Sequence, residues 1–178
     1  NEIDYTSIFE SMGEQTIAVE DVSSSYQKFD ILADGRYIFL NSSTVTVYDP
    51  ATQAFDSAQL SNNYYYMQVE NNDIYIASSD ALYTLDITDI SAGQAVVELI
   101  VDLGANNLGL DYGFNVENGT IVYNVYANQG GLRQTWMIPE VGSTPVLLYS
   151  GTNCCYKPLL VNGNIYLLES WSFSQLVD

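Results

Sequence analysis

The chain contains no histidine. Ser-His-Asp and Cys-His catalysis both need an imidazole to shuttle the proton, so neither can be built within it. Zinc centres based on histidine ligands are excluded on the same ground. Cations are almost as scarce: Lys28, Arg36, Arg133 and Lys157 are the only basic residues, against 22 acidic ones, giving a net charge of −18. Such a surface cannot track phosphates, which excludes nucleic acid and anionic lipid as partners. The longest apolar run, Ala95–Val101, is broken by Glu98 and falls far short of the roughly 20 residues a membrane-spanning helix needs. Stretches of helical period are nearly absent, so little or no helix is expected.

What remains is rich in strand formers. Of 178 residues, 47% are apolar and 15 are tyrosine, with many Val, Ile and Thr. These side chains suit a pleated, half-buried surface. The length suffices for one domain with a substantial core.

A repeat organises the chain. An apolar strand, a tight Asx/Gly turn and an alternating strand recur at Ala33-Asp34-Gly35-Arg36-Tyr37-Ile38-Phe39 and at Glu70-Asn71-Asn72-Asp73-Ile74-Tyr75-Ile76. They recur again at Glu117-Asn118-Gly119-Thr120-Ile121-Val122-Tyr123 and at Val161-Asn162-Gly163-Asn164-Ile165-Tyr166-Leu167. Asp-Gly and Asn-Gly pairs supply the positive φ angles of a two-residue hairpin. Counted on Gly35, Asn72, Gly119 and Gly163, the spacings are 37, 47 and 44 residues. Propeller blades repeat at roughly 40–50. Each hairpin is followed by a third strand, a polar turn and a fourth strand, as in Thr44–Tyr48, Asp49-Pro50-Ala51-Thr52-Gln53 and Ala54–Leu60.

The sequence therefore predicts an all-β, β-propeller-like array of four-stranded antiparallel blades. The expected units are 26–62, 63–108 and 109–153, with partial units at 1–25 and 154–178. Two arrangements fit the partial units. They combine into one composite blade of a four-bladed ring, or the array continues into further blades outside the chain, the reading we favour.

Val47-Tyr48-Asp49-Pro50-Ala51-Thr52-Gln53 resembles the third-strand-and-turn signature of quinoprotein-type repeats, within the broad superfamily of secreted and periplasmic β-propellers. The resemblance implies a fold and not an activity. That pattern continues with Gly after the Thr and then a docking Trp. Here Gln53 and Phe55 stand near those positions, which argues against quinoprotein blades.

Several residues are candidates for function. Cys154 and Cys155 are adjacent and the only cysteines; they form either a vicinal disulfide or two free thiols, and an oxidised pair would place the chain outside the cytoplasm. Tyr64, Tyr65, Tyr66, Trp136 and Trp171 are candidate ligand-facing aromatics, although packing between blades is the ordinary use of such side chains. Asp30, Asp34, Asp73, Asp80, Glu117 and the Asp86-Ile87-Thr88-Asp89 turn could supply hard oxygen ligands for Ca²⁺. Asx turns explain the same residues. Asn41-Ser42-Ser43 and Asn118-Gly119-Thr120 match the N-glycosylation triplet.

The residues point to a non-enzymatic binding or scaffold module of an extracytoplasmic protein, secreted, periplasmic or at the cell surface. It would recognise a protein or carbohydrate ligand through loops at one propeller face. Self-association, or completion by further blades, is a second kind of contact to expect. The alternatives are a propeller-class enzyme, either a carboxylate-based glycan hydrolase or a cofactor-dependent oxidoreductase, and a structural subunit of a surface filament or adhesin.

Overall fold

A computed structural model describes residues 28–106, 108–127, 132–151, 157–169 and 172–177. For 112, 127, 168, 169 and 172–177 it describes the backbone alone. Blade 1 comprises β1 (Lys28–Ile31), β2 (Tyr37–Asn41), β3 (Thr44–Asp49) and β4 (Ala54–Gln59). Blade 2 comprises β5 (Tyr66–Glu70), β6 (Asp73–Ala77), β7 (Ala81–Asp86) and β8 (Val96–Asp102). In blade 3 follow β9 (Leu108–Glu117), β10 (Thr120–Ala127), β11 (Arg133–Ile138) and β12 (Val146–Gly151). In blade 4 follow β13 (Leu159–Val161), β14 (Asn164–Glu169) and β15 (Ser172–Val177). Each blade is an antiparallel meander in chain order, with four described strands in the first three and three in the fourth. Helical structure among the described residues amounts to two 3-10 turns, Ile90–Ala92 and Gly104–Asn106.

Why these residues form meanders is visible at the turns. Asn118-Gly119 and Asn162-Gly163 both place two successive residues at positive φ, between 52° and 77°. That geometry matches the right-handed twist of the flanking strands. Gln53, at the position where the quinoprotein pattern carries Gly, also sits at φ 58°. A side chain is strained there and glycine is not. Gln53→Gly is therefore expected to raise stability by about 0.5–1 kcal/mol, read as a higher urea midpoint at unchanged slope. A lowered midpoint would show that the Gln53 side chain makes a contact worth more than the strain.

Alternation along the strands sends one set of side chains to each neighbouring blade. Ile38, Leu40, Val45 and Val47 of blade 1 meet Ile74, Ile76 and Leu85 of blade 2 in one core. Tyr75, Ala77 and Leu82 of blade 2 meet Phe114, Val116 and Ile121 of blade 3 in a second. Val122 meets Leu160, Ile165 and Leu167 in a third, between blades 3 and 4. The first strands of successive blades are neighbours. They are the inner strands of the array.

The inner strands are also stitched together by side chains. Asp30 Oδ2 accepts the Val69 amide at 2.8 Å, Gln68 Oε1 accepts the Val116 amide at 3.1 Å, and Asn115 Oδ1 accepts the Leu160 amide at 2.7 Å. Gln68 also donates to the Val116 carbonyl at 2.8 Å. One turn further on, the Glu117 carboxylate takes both hairpin amides of blade 4, Asn162 and Gly163, at 2.8 Å each. Glu70 does the same for Asn118 and Gly119 of blade 3. A pleated strand presents an amide to the preceding blade at these points, and that blade supplies the acceptor.

Candidate functional site

Two of the outer strands carry bulges near a groove between blades 2 and 3. In β8, Leu82 pairs with Val101 and Tyr83 with Leu99, which leaves Ile100 as a bulged residue. In β12, Thr135 pairs with Tyr149 and Trp136 with Leu147, which leaves Leu148 bulged. A bulge bends its strand and re-aims the neighbouring side chains. Between blades 2 and 3, beside the β8 bulge, the sheets enclose a groove of about 330 Å³. Buried Leu103 and Tyr123 form its base, and half-buried Val101, Leu108, Trp136 and Pro145 its sides. Exposed Asp102 and Asn106 stand at the rim.

The polar rim is positioned by backbone chemistry. Asp102 Oδ1 accepts the Ala105 amide at 3.0 Å and so caps the 3-10 turn that carries Asn106. Asp80 anchors the same connector through its carbonyl, which accepts the amides of Leu103 at 2.8 Å and Gly104 at 3.1 Å. The indole N–H of Trp136 donates to Gln134 Oε1 at 3.1 Å, which fixes the ring against the sheet. Burial pushes the Tyr123 phenol well above its usual range, so it stays a neutral hydroxyl. The groove offers an aromatic face with hydrogen-bonding groups along its edge.

Around the inner strands, Asp111 and Arg133 form an ion pair, Nε to Oδ2 at 2.9 Å. The contact is close but misaligned, and Oδ2 receives no hydrogen bond of good geometry. Burial pushes the Asp111 carboxyl up from the ordinary carboxylate range, and Arg133 pulls it back down.

The tyrosine run divides. Tyr64 is fully buried, edge-to-face on Tyr83 with ring centroids 5.4 Å apart, and so serves packing, not a ligand. Its burial follows from the Ser42 carbonyl, which takes the Tyr64 amide at 2.9 Å and draws the residue under blade 1. Tyr65 is 40% exposed. Tyr66 is half-buried against Gly113, with Lys28 Nζ 5.9 Å from its ring centroid. Trp136 lines the groove. Trp171, Cys154 and Cys155 lie outside the described residues.

Of the carboxylates named as candidate Ca²⁺ ligands, Asp30, Asp34, Asp80, Asp86 and Glu117 hold local structure. Asp86 accepts the Thr88 amide at 2.8 Å and its hydroxyl at 2.6 Å. Those bonds, the hydroxyl's first, hold its carboxyl below the usual range. Asp34 pairs with Arg36 at 2.8 Å, Asp80 accepts from Ser78 Oγ at 2.7 Å, and Asp30 and Glu117 serve the inter-blade bonds. Asp73, Asp86 and Glu98 line a second cleft of about 420 Å³ at the hairpin end of blade 2. Among the described residues no three carboxylates converge as a cation site. The groove itself was not visible in the sequence beyond Trp136. The signal that could have found it is the interrupted alternation at Leu99-Ile100-Val101 and Leu147-Leu148-Tyr149.

Antiparallel meanders, stacked face to face with their first strands adjacent, define a β-propeller-like fold. No protein-family model matches the sequence, and no curated protein matches it either. Solved structures share the fold. The extracellular domain of a hybrid two-component system from B. thetaiotaomicron aligns with a TM-score of 0.60 at 12% identity, over 83% of this chain and 19% of that one. A luciferin-regenerating enzyme aligns at 0.53 and 10% identity, over 79% of this chain and 51% of that one. The N-terminal domain of Nup159 aligns at 0.41, too low to speak to the fold. The chain thus spans about half the length of the enzyme and about a fifth of the two-component extracellular domain.

Proposed function

We propose that the chain is a non-enzymatic binding module of an extracytoplasmic protein, and that the groove between blades 2 and 3 is its recognition site. The observation that carries this reading is Trp136. It is held half-exposed beside a bulge, over an apolar base, with Asp102 and Asn106 at the rim. That chemistry suits a flat apolar surface with hydrogen-bonding groups at its edge, which describes a pyranose ring or an aromatic side chain of a partner protein. The absence of histidine and the cation-poor, acidic composition support a binding role without nucleic acid. One protein of the same fold, the two-component domain, is extracellular.

Trp136 and Trp171 are the only tryptophans, so Trp171→Phe leaves Trp136 as the sole indole reporter. Titrating that variant with a panel of oligosaccharides and tyrosine-bearing peptides is expected to shift its emission for one class. Trp136→Ala should weaken the same binding by about 2 kcal/mol, or roughly 30-fold. Turnover of a sugar in the panel, or binding that ignores Trp136→Ala, would overturn the proposal.

A further inference from the structure

The face that blade 2 turns toward blade 3 carries more polar groups than blade 3 uses. Strand register sets them in two rows. Gln68, Tyr75, Thr84 and Glu98 are paired neighbours across β5 to β8. Two residues nearer the hairpin end, Glu70 pairs with Asp73, and Asp86 lies on the same face of β7. Paired side chains share a face of the sheet, and the two rows are about 7 Å apart along the strands. Gln68 and Glu70, on the inner strand, are taken up by Val116, Asn118 and Gly119 of blade 3. Farther out, no described group of blade 3 does the same, and the cleft of about 420 Å³ opens there, with Val141 on its far side.

Tyr75 is the residue this packing leaves unexplained. It is 4% exposed and belongs to the core shared with Phe114 and Val116. Its hydroxyl has no hydrogen-bond partner among the described residues. A buried phenol ordinarily finds one. Nor is the hydroxyl sealed in: the one sealed, unpartnered side-chain atom among the described residues is Asp111 Oδ2. The Tyr75 hydroxyl therefore opens on the cleft that Tyr75 lines. Burial, helped by Asp73 and Glu70, pushes the phenol up from its usual range, so it stays neutral. Around it, Asp73 and Glu98 are exposed and carry no side-chain bond among the described residues. Asp86 uses only Oδ1, on Thr88.

We propose that this cleft binds a small linear diamine or polyamine. One ammonium sits at Glu98 and the Tyr75 hydroxyl, the other about 7 Å along the strands between Asp73 and Asp86. The methylene chain lies on buried Ile74 and Leu85. Spacing selects the ligand. The carboxylates do not converge on a point, as a bare metal ion requires, but an extended cation meets them one at a time. A sugar asks for donors as well as acceptors, and three carboxylates only accept. The site is separate from the Trp136 groove and shares no lining residue with it.

Calorimetric titration of the 178-residue chain with 1,5-diaminopentane in about 0.1 M NaCl, which screens long-range attraction to the acidic surface, should show one saturable site. Tyr75→Phe changes no charge and should weaken binding about five- to tenfold, the worth of one hydrogen bond to a charged group. Glu98→Gln and Asp73→Asn should each weaken it about tenfold. Asp56→Asn removes the same charge from blade 1 and should leave affinity within about twofold. Pentylamine, with one ammonium, should bind at least about tenfold more weakly than the diamine. Because the Tyr75 hydroxyl serves no protein group, the urea midpoint of Tyr75→Phe should hold or rise. A clear fall in that midpoint would reveal a protein partner for the hydroxyl and overturn the proposal. So would binding that ignores Tyr75→Phe, or Mg²⁺ displacing the diamine at equal concentration, since both describe counterions on an acidic surface. Nα-acetyl-lysine amide binding as tightly as the diamine would overturn it in favour of a lysine side chain of a partner protein, and no saturable binding would end it outright.

Discussion

Gly113→Ala is expected to lower the melting temperature by about 6–12 °C. Gly113 lies in β9 at φ 92°, within a bulge that separates the Phe114–Tyr123 pair from the Leu110–Val125 pair. A side chain at that φ costs about 1–2 kcal/mol in backbone strain. A Cβ there would also stand 2.8 Å from Cδ1 and 3.1 Å from Cε1 of the Tyr66 ring. The ring is half-buried between blades 2 and 3 and has little room to swing, so overpacking adds about 1–3 kcal/mol. The sum, about 3 kcal/mol, converts at roughly 2–4 °C per kcal/mol for a chain of this size. A double-mutant cycle separates the two causes. In a Tyr66→Ala background the clash is gone, and adding Gly113→Ala should cost only the backbone part, about 1–2 kcal/mol. A change below about 0.5 kcal/mol in the parent background would show that the bulge relaxes freely, and the close approach would lose its meaning.

That glycine shows how far the sequence could be read. A glycine inside an alternating strand signals a bulge or a close backbone approach, so Asp111-Tyr112-Gly113-Phe114 carried a local sign of irregularity. What lay against it could not be read, because Tyr66 is a blade away. The same division holds across the molecule. Asn118-Gly119 and Asn162-Gly163 announced their hairpins, since positive φ is a property of the dipeptide. The strand pairs Thr44–Tyr48 with Ala54–Leu60, and Ala81–Leu85 with Ala95–Leu103, followed from alternation and turn chemistry alone, and the structure trims the last to Val96–Asp102. Tyr64, Tyr65 and Tyr66 are adjacent and identical in propensity, yet one is fully buried, one exposed and one stacked on a glycine. Tyr64 is placed by Ser42 and Tyr83, and Tyr66 by Gly113, none of them a neighbour in sequence. Trp136 could be named as a candidate, but the groove it lines needs Val101 and Leu103 from the preceding blade.

The inter-blade carboxylates belong wholly to the part that alternation does not reveal, and they carry the second large effect. Glu70 and Glu117 read as ordinary polar strand ends before a turn. Their partners lie 45 to 49 residues downstream. Each carboxylate accepts two backbone amides at once, and hydrogen bonds to a charged acceptor are each worth about 1.5–3 kcal/mol when buried. Both residues are only half-buried, so the low end applies after solvent screening. Glu117→Ala and Glu70→Ala should each cost about 2 kcal/mol, or about 4–8 °C in melting temperature. Gln at either position keeps one acceptor oxygen and should recover roughly half of that loss. Hydrogen exchange distinguishes this from a general loosening of the sheet. Glu70→Ala should speed exchange at Asn118 and Gly119 while Asn162 and Gly163 stay protected, and Glu117→Ala should do the reverse. Equal acceleration at both hairpins in either variant would mean that the carboxylates stabilise the blades only through their general packing. The two junctions share blade 3, so the double variant tests coupling as well. A loss greater than the sum of the single losses would show that blade 3 is held in register from both sides, and that the array stands or falls as a unit along its inner strands.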